Sequence, residues 1–183
     1  QNLHDEKVRA DRTGSPFYVA IMDLDHFKKI NDRFGHLTGD SVLKSFAQLV
    51  RDEIATLREE GAGDGLESFA RYGGEEFIMV MPHTPLARAL THSERIRRAT
   101  FEASFDDVFR ITVSIGVAEY RPGERFEETL RRADHAMYRA KDEGRDRVAA
   151  YEEDGTDTGG SGKFRAKVLT GRFRALVNPA SDS

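Results

Sequence analysis

Two kinds of hydrophobic repeat alternate along the chain. Short apolar or alternating runs rich in β-branched residues are typical of strands, whereas apolar residues three and four positions apart are typical of helices. The runs that predict strands lie at residues 17–22, 69–72, 77–81, 111–118 and 148–151. The periodic segments that predict helices lie at residues 2–13, 41–60, 86–102 and 126–143. We therefore expect an α/β or α+β domain in which helices pack on a mixed sheet.

The composition limits the classes of protein to which this chain can belong. Its 183 residues, 38% of them hydrophobic, are enough for one ordinary core. A net charge of -4 provides no basic surface of the kind that nucleic-acid binding requires, and the absence of cysteine excludes disulfides and thiolate chemistry. No apolar run approaches the roughly 20 residues that span a bilayer. We expect a cytoplasmic domain with no nucleic-acid partner and no membrane contact of its own, although a full-length protein could be anchored through preceding regions.

The composition changes after Tyr151, which marks a predicted domain boundary. Residues 152–162 are acidic and rich in Gly, Ser and Thr, as in linkers, and residues 163–174 are basic with interleaved apolar positions. We interpret residues 152–183 as a linker and basic tail of unassigned role; an edge strand or the start of a further domain are the alternatives. Because the sequence starts inside a helical pattern, we expect residues 1–151 to be an N-terminally truncated domain of a longer protein.

Two acidic residues follow the first predicted strand. Asp23 and Asp25, in the segment DLDHFKKIND at residues 23–32, stand two positions apart, so in an extended chain they project from the same side. Together they suit a hard cation such as Mg²⁺, which takes one or two carboxylates along with substrate phosphate oxygens. The alternative is that both residues only end the strand and cap the next helix, which is a common use of Asp.

The segment GHLTGD at residues 35–40 lies between two predicted helices. Guanine presents N–H donors on one edge and acceptors on another, so a site for it needs a carboxylate and an amide, and Asn31 and Asp40 are such a pair. The alternative assigns Gly35 to helix termination and Asp40, or Ser41, to the N-cap of the long helix. The spacing alone does not choose between the two.

A glycine pair separates two predicted strands in the segment ARYGGEEF at residues 70–77. A two-residue turn centred on the glycines explains them completely, because primed turns need positive φ. It does not explain Glu75 and Glu76: neighbouring strand residues face opposite sides of a sheet, so one carboxylate points toward the core side unless it has a partner. A cation shared with Asp23 is such a partner.

Two basic residues lie four positions apart around the end of the last long predicted helix. Lys141 and Arg145 can reach over one surface and hold triphosphate oxygens, Arg through a bidentate contact and Lys as a point charge. The alternative is a pair of cations placed favourably at the negative C-terminus of a helix, with no role in binding.

Taken together, these segments closely resemble the GGDEF family, the diguanylate cyclases of bacterial second-messenger signalling. The resemblance runs from about residue 9 to residue 148 and keeps five motifs in the family's order and spacing. The motifs are DLDHFKKIND at residues 23–32, GHLTGD at 35–40, ARYGGEEF at 70–77, TVSIGVA at 112–118 and ADHAMYRAKDEGR at 133–145. The resemblance implies a palm-like nucleotidyl cyclase fold with a central, mainly antiparallel sheet flanked by helices.

The family's activity is the condensation of two GTP into cyclic di-GMP with release of two pyrophosphates. The resemblance implies a homodimer with one GTP per subunit, two Mg²⁺ ions per active site, with Mn²⁺ as an alternative, and an upstream sensory or dimerisation module. The implied metal ligands are Asp23, the Leu24 carbonyl, Glu75 and Glu76. The implied nucleotide-binding residues are Phe27, Asn31, His36, Asp40, Lys141 and Arg145. The implied catalytic residues are Lys28, Glu75 and Glu76, with Glu76 either a second metal ligand or an aid to deprotonation of the attacking hydroxyl.

The sequence departs from the family pattern in several places. Counting back from the glycine pair to the Arg-x-x-Asp product-inhibition motif of many members gives residues 64–67, DGLE, where the arginine is missing. We therefore expect no product inhibition through that primary site, although Arg95 occupies the position of a secondary inhibitory arginine. Asp146 stands where Asn is usual, and Glu75 in place of Asp is an accepted variant.

Hypotheses of different classes follow from these residues. The first is an active diguanylate cyclase, and the second is a degenerate domain that binds GTP or cyclic di-GMP as a receptor or interaction module. Metal, guanine and phosphate positions that all match the family favour the first, and the missing inhibitory arginine argues against a product receptor. A third, another palm-type nucleotidyl cyclase or transferase, predicts a different nucleotide preference, whereas Asn31 and Asp40 point to guanine.

Overall fold

The computed structural model of the chain describes residues 3–61, 68–105 and 110–153. Its helices are α1 (Leu3–Thr13), α2 (Phe27–Phe34), α3 (His36–Glu59), α4 (Leu86–Glu102) and α5 (Phe126–Asp142). Its strands are β1 (Phe17–Leu24), β2 (Ser68–Gly73), β3 (Glu76–Met81), β4 (Val113–Tyr120) and β5 (Val148–Ala150). None of the helices in these ranges combines the length and the apolar character needed to cross a bilayer. Most of the predicted linker and tail lies outside the described residues, so the proposed domain boundary stays a prediction.

The strands form one mixed sheet in the order β2-β3-β1-β4-β5. β1 lies at the centre, antiparallel to both β3 and β4, and β2 continues the antiparallel arrangement beside β3. β5 runs parallel to its neighbour β4. This is the mainly antiparallel sheet flanked by helices that the sequence predicts, and the predicted α+β class is confirmed.

Side chains of the central strands supply two cores, one on each face of the sheet. On one face, Met22 and Leu24 of β1 and Phe77 of β3 pack in a cluster with α2, α3 and α4. On the other face, Ile21 of β1 and Ile78 of β3 pack in a cluster with α1 and α5. Because helices cover both faces, the central strands are nearly continuous apolar runs.

Two strands differ in extent from the hydrophobic pattern. β1 continues to Leu24, so Asp23 lies inside the central strand and not beyond its end. β4 begins at Val113 and ends at Tyr120, later than predicted at both ends. The additional residues belong to the strands because their backbone groups form hydrogen bonds with neighbouring strands. The hydrophobicity of their side chains does not indicate this backbone pairing.

The start of α3 differs from the predicted N-cap at Asp40 or Ser41. α3 begins at His36, directly after Gly35, which ends α2 with φ 85° and ψ 162°. No side-chain hydrogen bond caps this end of α3. The predicted cap was wrong because one glycine, in a conformation that other residues rarely adopt, both ends α2 and precedes α3. Asp40 therefore lies in the second turn of α3.

β2 and β3 form a hairpin whose turn is displaced from the predicted glycine pair. Gly73 still belongs to β2 and pairs with Glu76, so the turn residues are Gly74 and Glu75. Gly74 has φ 55°, as the first turn position of a type II′ hairpin requires. The register shifts just before Gly73, where Tyr72 is an additional residue in β2. This bulge moves the turn by one position.

Asp11 attaches α1 to the rest of the fold. Its carboxylate accepts hydrogen bonds from the Tyr120 hydroxyl at 2.6 Å and from the Gly123 N–H at 2.7 Å, and it pairs with Lys7 at 2.6 Å. These contacts, with that of Lys7 the strongest, lower the pKa of the Asp11 carboxyl to about 2. α1 is therefore held by the segment that leads from β4 into α5.

Candidate active site

The predicted acidic residues meet at one end of the sheet. Asp23 of β1 is the cross-strand partner of Glu76 in β3. The Leu24 N–H donates to the Glu75 carbonyl oxygen at 3.3 Å, which ties the hairpin turn to the end of β1. The backbone thus brings together Asp23, Leu24, Glu75 and Glu76, which come from two distant segments of the sequence.

Negative charge is concentrated around the Asp23 carboxylate. The residue is only 6% exposed, and this burial raises the pKa of Asp23 to about 6. The charges of Glu75 and Glu76 raise the pKa further, whereas the Lys141 ammonium opposes the shift. Lys141 reaches over from the last turn of α5, with its Nζ 2.8 Å from Asp23 Oδ1. The single Lys141 ammonium therefore does not offset the rise in the pKa of Asp23 that burial and the neighbouring carboxylates cause.

The donor set at this end of the sheet fits a divalent cation. Three carboxylates and the Leu24 carbonyl are oxygen ligands of the kind that Mg²⁺ prefers. In the parts of the chain that the structure describes, no three acidic or histidine side chains stand in the arrangement of a formed metal site. The cationic group beside Asp23 is the Lys141 ammonium. The assignment of Asp23, Leu24, Glu75 and Glu76 as metal ligands stays a prediction, which the charge distribution supports.

Asp25 belongs to a different arrangement from Asp23. Its carboxylate accepts hydrogen bonds from Thr112 Oγ1 at 2.7 Å, from Ser114 Oγ at 2.8 Å and from the Asp146 N–H at 3.1 Å. The Asp25 N–H donates to the Thr112 carbonyl oxygen at 2.9 Å. β1 ends between Asp23 and Asp25, and the chain then turns toward β4. That the two aspartates serve one cation stays a prediction. Asp25 joins β4 to the loop that follows α5.

The end of α5 carries both predicted phosphate-binding cations. A Schellman motif closes the helix: the Arg145 N–H donates to the Ala140 carbonyl oxygen at 3.0 Å, and the Gly144 N–H donates to that of Lys141 at 3.3 Å. Gly144 has φ 117°, which side chains disfavour. Arg145 then lies with Nε 4.0 Å from Asp25 Oδ1. The structure therefore brings Lys141 and Arg145 to the aspartates at the end of β1.

The predicted base-binding residues lie at the junction of α2 and α3. Asn31 packs directly against Gly39, since a methyl group there would come within 1.9 Å of Asn31 Oδ1. Asp40, the next residue, lines a cavity of about 520 Å³ together with Leu43 and Phe77. This volume is in the range of small-molecule sites. The Asn31 amide thus lies against the residue before Asp40, and Asp40 lines the cavity. That the two residues read guanine stays a prediction.

The remaining predicted nucleotide-binding residues differ in exposure. Phe27 is only 6% exposed and belongs to the core on the α2 and α3 face of the sheet. Lys28 is exposed in the first turn of α2, and His36 is exposed at the start of α3. Phe27 is therefore a core residue beside the junction, whereas Lys28 and His36 are accessible to a ligand.

The arginine at the predicted secondary inhibitory position is engaged within the protein. Arg95 of α4 contacts Glu60 at 2.5 Å and Glu53 at 3.2 Å. Residues 64–67, to which the primary inhibitory motif aligns, lie outside the described residues. The absence of product inhibition stays a prediction.

Sequence reasoning missed the residues that hold Asp25 and the loop after α5. Thr112 and Ser114 bind Asp25, and Arg97 of α4 donates from Nη1 to Asp146 Oδ1 at 2.7 Å. A signal existed for the first pair, because Thr112 and Ser114 stand two positions apart in a predicted strand and so face the same side. Arg97 offered no signal, since it is one of several basic residues on a polar helix face.

Known proteins are similar to this chain in sequence. The family model described as "Diguanylate cyclase, GGDEF domain" matches residues 1–147. Diguanylate cyclase DgcP of Pseudomonas aeruginosa is 40% identical over 151 residues, which cover 81% of this chain and 21% of the relative. Diguanylate cyclase DgcM of Escherichia coli is 42% identical over 134 residues, which cover 73% of this chain and 30% of the relative. The chain thus spans about a fifth to a third of the length of these relatives.

Solved structures share the fold. The active GGEEF domain of a diguanylate cyclase from Vibrio cholerae matches with a TM-score of 0.73 and 33% identity, covering 82% of this chain and 92% of that one. The GGDEF domain of DgcB from Caulobacter crescentus, solved in complex with c-di-GMP, matches with a TM-score of 0.68 and 35% identity, covering 81% and 85%. The resemblance predicted from the motifs is confirmed. By its family model, its relatives and its fold, the chain belongs to the GGDEF domain family of diguanylate cyclases.

Proposed function

We propose that this chain is a catalytic domain that condenses two GTP into cyclic di-GMP and releases two pyrophosphates. The observation that carries the proposal is the meeting of three acidic residues, Asp23, Glu75 and Glu76, with Lys141 and Arg145 at one end of the sheet. Carboxylates alone would repel a triphosphate, and cations alone would not hold metal ions. The combination suits a complex of Mg²⁺ with a nucleoside triphosphate.

The acidic residues have two tasks in this proposal. Asp23, Glu75, Glu76 and the Leu24 carbonyl would hold two Mg²⁺ ions, for which Mn²⁺ can substitute. When bound, such ions lower the pKa of a hydroxyl and neutralise charge on a leaving pyrophosphate. Glu76 is also our candidate to accept the proton of the 3′-hydroxyl of one GTP as that oxygen attacks the α-phosphorus of the other.

The basic residues bind phosphate in this proposal. Lys141 pairs with Asp23 Oδ1 in this structure, and a divalent cation would compete for the same oxygen. Its ammonium would then turn to the triphosphate, where Arg145 and the exposed Lys28 add positive charge. Fixed positive charge at the leaving pyrophosphate stabilises the transition state more than the substrate, because negative charge develops there.

The reaction requires two domains. The attacking hydroxyl and the attacked phosphorus belong to different GTP molecules, and each domain contributes one base-binding junction of α2 and α3. We therefore propose a homodimer with one GTP per subunit, brought together by an upstream sensory or dimerisation module. We propose that the reaction takes place in the cytoplasm, where GTP is supplied.

Product formation from GTP tests the proposed function. With Mg²⁺ present, the rate of cyclic di-GMP formation per unit of protein should rise with protein concentration, because the productive species is a dimer. Chelation of the divalent cation should abolish the product, which chromatography detects directly. Absence of product from a chain fused to a dimerising coiled coil would contradict the proposal, and GTP binding without product would identify a receptor instead.

Asp40→Ala should weaken GTP binding and reduce the preference for guanine. Without the carboxylate, the N–H donors of the guanine edge lose their acceptor, so we expect about tenfold lower affinity for GTP and little change for ATP. Asp52→Ala is the matched control, because it removes one exposed carboxylate from the same helix, far along α3 from the junction. Calorimetric titration with GTP and with ATP measures both constants. An unchanged preference in Asp40→Ala would mean that the base is read elsewhere.

A further inference from the structure

A set of ion pairs on α4 reaches the loop that follows α5. Arg97 binds Glu94 through Nε and Nη2, each at 2.8 Å, and its Nη1 donates to Asp146 Oδ1 at 2.7 Å. The Arg97 side chain is only 17% exposed. Because Glu94 holds two of the three guanidinium nitrogens, the direction of the third toward Asp146 is well defined.

Asp146 holds the loop from two sides. Its side chain binds Arg97, and its N–H donates to Asp25 Oδ2 at 3.1 Å. Arg145 and Asp146 have φ of 66° and 47°, in the left-handed region that residues with side chains rarely adopt. Two such residues in succession persist only where surrounding contacts hold them. The contacts of Asp146 with Arg97 and Asp25 do so here.

The conformation of this loop decides where the Arg145 guanidinium lies. The Arg145 side chain is 42% exposed, and its Nε lies 4.0 Å from Asp25 Oδ1. Its backbone is held on the N-terminal side by the bond of the Arg145 N–H to the Ala140 carbonyl oxygen, and on the C-terminal side by the contacts of Asp146. Lys141 is different, because it lies within α5 and its direction is set by the helix. Disturbing Asp146 should therefore displace Arg145 and leave Lys141 in place.

We propose that Arg97 is a positioning residue for nucleotide binding: through Asp146 it keeps Arg145 in the place from which Arg145 contacts the triphosphate. This inference rests on the proposed function, because it takes GTP phosphates as the ligand of Arg145. It also accounts for the departure at position 146, since Asp pairs with the Arg97 charge whereas Asn offers only a hydrogen bond.

The test separates the phosphate end of the nucleotide from its base end, because a general loosening of the fold would affect both. Dissociation constants of the 183-residue chain are measured, with Mg²⁺, for a non-reactive GTP analogue and for guanosine. Arg97→Ala should weaken analogue binding about tenfold and leave guanosine binding unchanged. Arg145→Ala should cause a similar loss. The double variant should lose little more than either single variant, because both act through one contact.

Arg98→Ala is the matched control for this test. Arg98 is the next residue on α4, is 69% exposed and pairs with Glu94 at 3.1 Å. Its loss should leave analogue binding unchanged. Asp146→Asn guards against a folding defect in Arg97→Ala, because it keeps the backbone contact and a hydrogen-bond acceptor while removing the charge. It should weaken analogue binding about threefold, and guanosine binding should again stay constant.

Three results would overturn the inference. The first is equal weakening of analogue and guanosine binding by Arg97→Ala, and the second is additive losses in the double variant with Arg145→Ala. The third is an Arg97→Ala variant that binds the GTP analogue as tightly as Arg98→Ala does, while the wild type binds it normally. That result would overturn this inference but not the proposed function. A wild-type chain that binds no GTP analogue would overturn the proposed function and this inference with it.

Discussion

Asp23→Asn should greatly slow the formation of cyclic di-GMP while leaving the fold at least as stable as the wild type. The substitution removes a charge from the centre of the proposed metal site, so we expect a loss of activity of about a hundredfold to a thousandfold or more. Burial raises the pKa of Asp23, which means that the folded protein disfavours the charged form. An uncharged amide of the same size removes that cost, and Lys141, 24% exposed, can turn to solvent.

Asp25→Asn is the matched comparison, because Asp25 is an equally buried aspartate two positions away. Its two oxygens accept hydrogen bonds from Thr112, Ser114 and the Asp146 N–H. An amide nitrogen in place of one oxygen would face a donor, so we expect a loss of about 2–3 kcal/mol in the free energy of unfolding. The two variants thus separate a residue kept for chemistry from a residue kept for structure.

Urea denaturation without metal and the rate of cyclic di-GMP formation, measured on both variants, test this contrast. We expect Asp23→Asn to have the denaturation midpoint of the wild type but to lose activity. We expect Asp25→Asn to unfold at a lower urea concentration than the wild type. A fully active Asp23→Asn variant would contradict the metal assignment. A wild-type midpoint for Asp25→Asn would contradict the structural role of the hydrogen bonds to Asp25.

Gly116→Ala should destabilise the fold more than any exposed substitution. Gly116 lies in β4 where α5 crosses the sheet, and a methyl group there would lie 2.1 Å from the Ala133 carbonyl oxygen and 2.2 Å from the Met137 nitrogen. These are backbone atoms, so relief requires α5 to move as a body. We expect a loss of about 3 kcal/mol or more in the free energy of unfolding. Any fraction that stays folded should bind GTP poorly, because α5 carries Lys141.

Gly73→Ala is the control for this substitution. Gly73 also lies in a strand of the same sheet, but a methyl group there would meet nothing within 4 Å, and its φ is not positive. We expect its free energy of unfolding to stay within about 0.5 kcal/mol of the wild type. Thermal melts and urea denaturation of both variants measure the difference. Equal stability of the two variants would show that α5 can shift away from β4 at little cost.

The sequence predicts most of the sheet and its helices because strands that are buried on both faces consist mainly of apolar residues. β1, β4 and the apolar stripe of α5 are all visible as patterns of side chains. Element boundaries are less visible where the backbone decides them. The junction of α2 and α3 depends on the dihedral angles of Gly35, so a plausible cap at Asp40 is overridden.

The candidate site shows a similar division. The carboxylates and cations are recognisable as residue types, and their meeting follows from strand pairing between Asp23 and Glu76. Their separate tasks are not recognisable, because Asp23 and Asp25 differ only in their neighbours from distant segments. The pairing of Arg97 with Asp146 is of the same kind, since contact between α4 and the loop after α5 exists only in the folded chain.

The hydrogen bonds that converge on Asp25 join distant points of the chain, 89 residues away for Ser114 and 121 residues away for the Asp146 N–H. Closing such long loops costs chain entropy before the contacts compensate for it, so domains that depend on contacts of this kind fold slowly. During synthesis on the ribosome, Asp25 emerges long before the partners that it needs. The end of the sheet that carries the proposed chemistry is therefore completed only after α5 and its following loop have been made, and a nascent chain holds no working site until then.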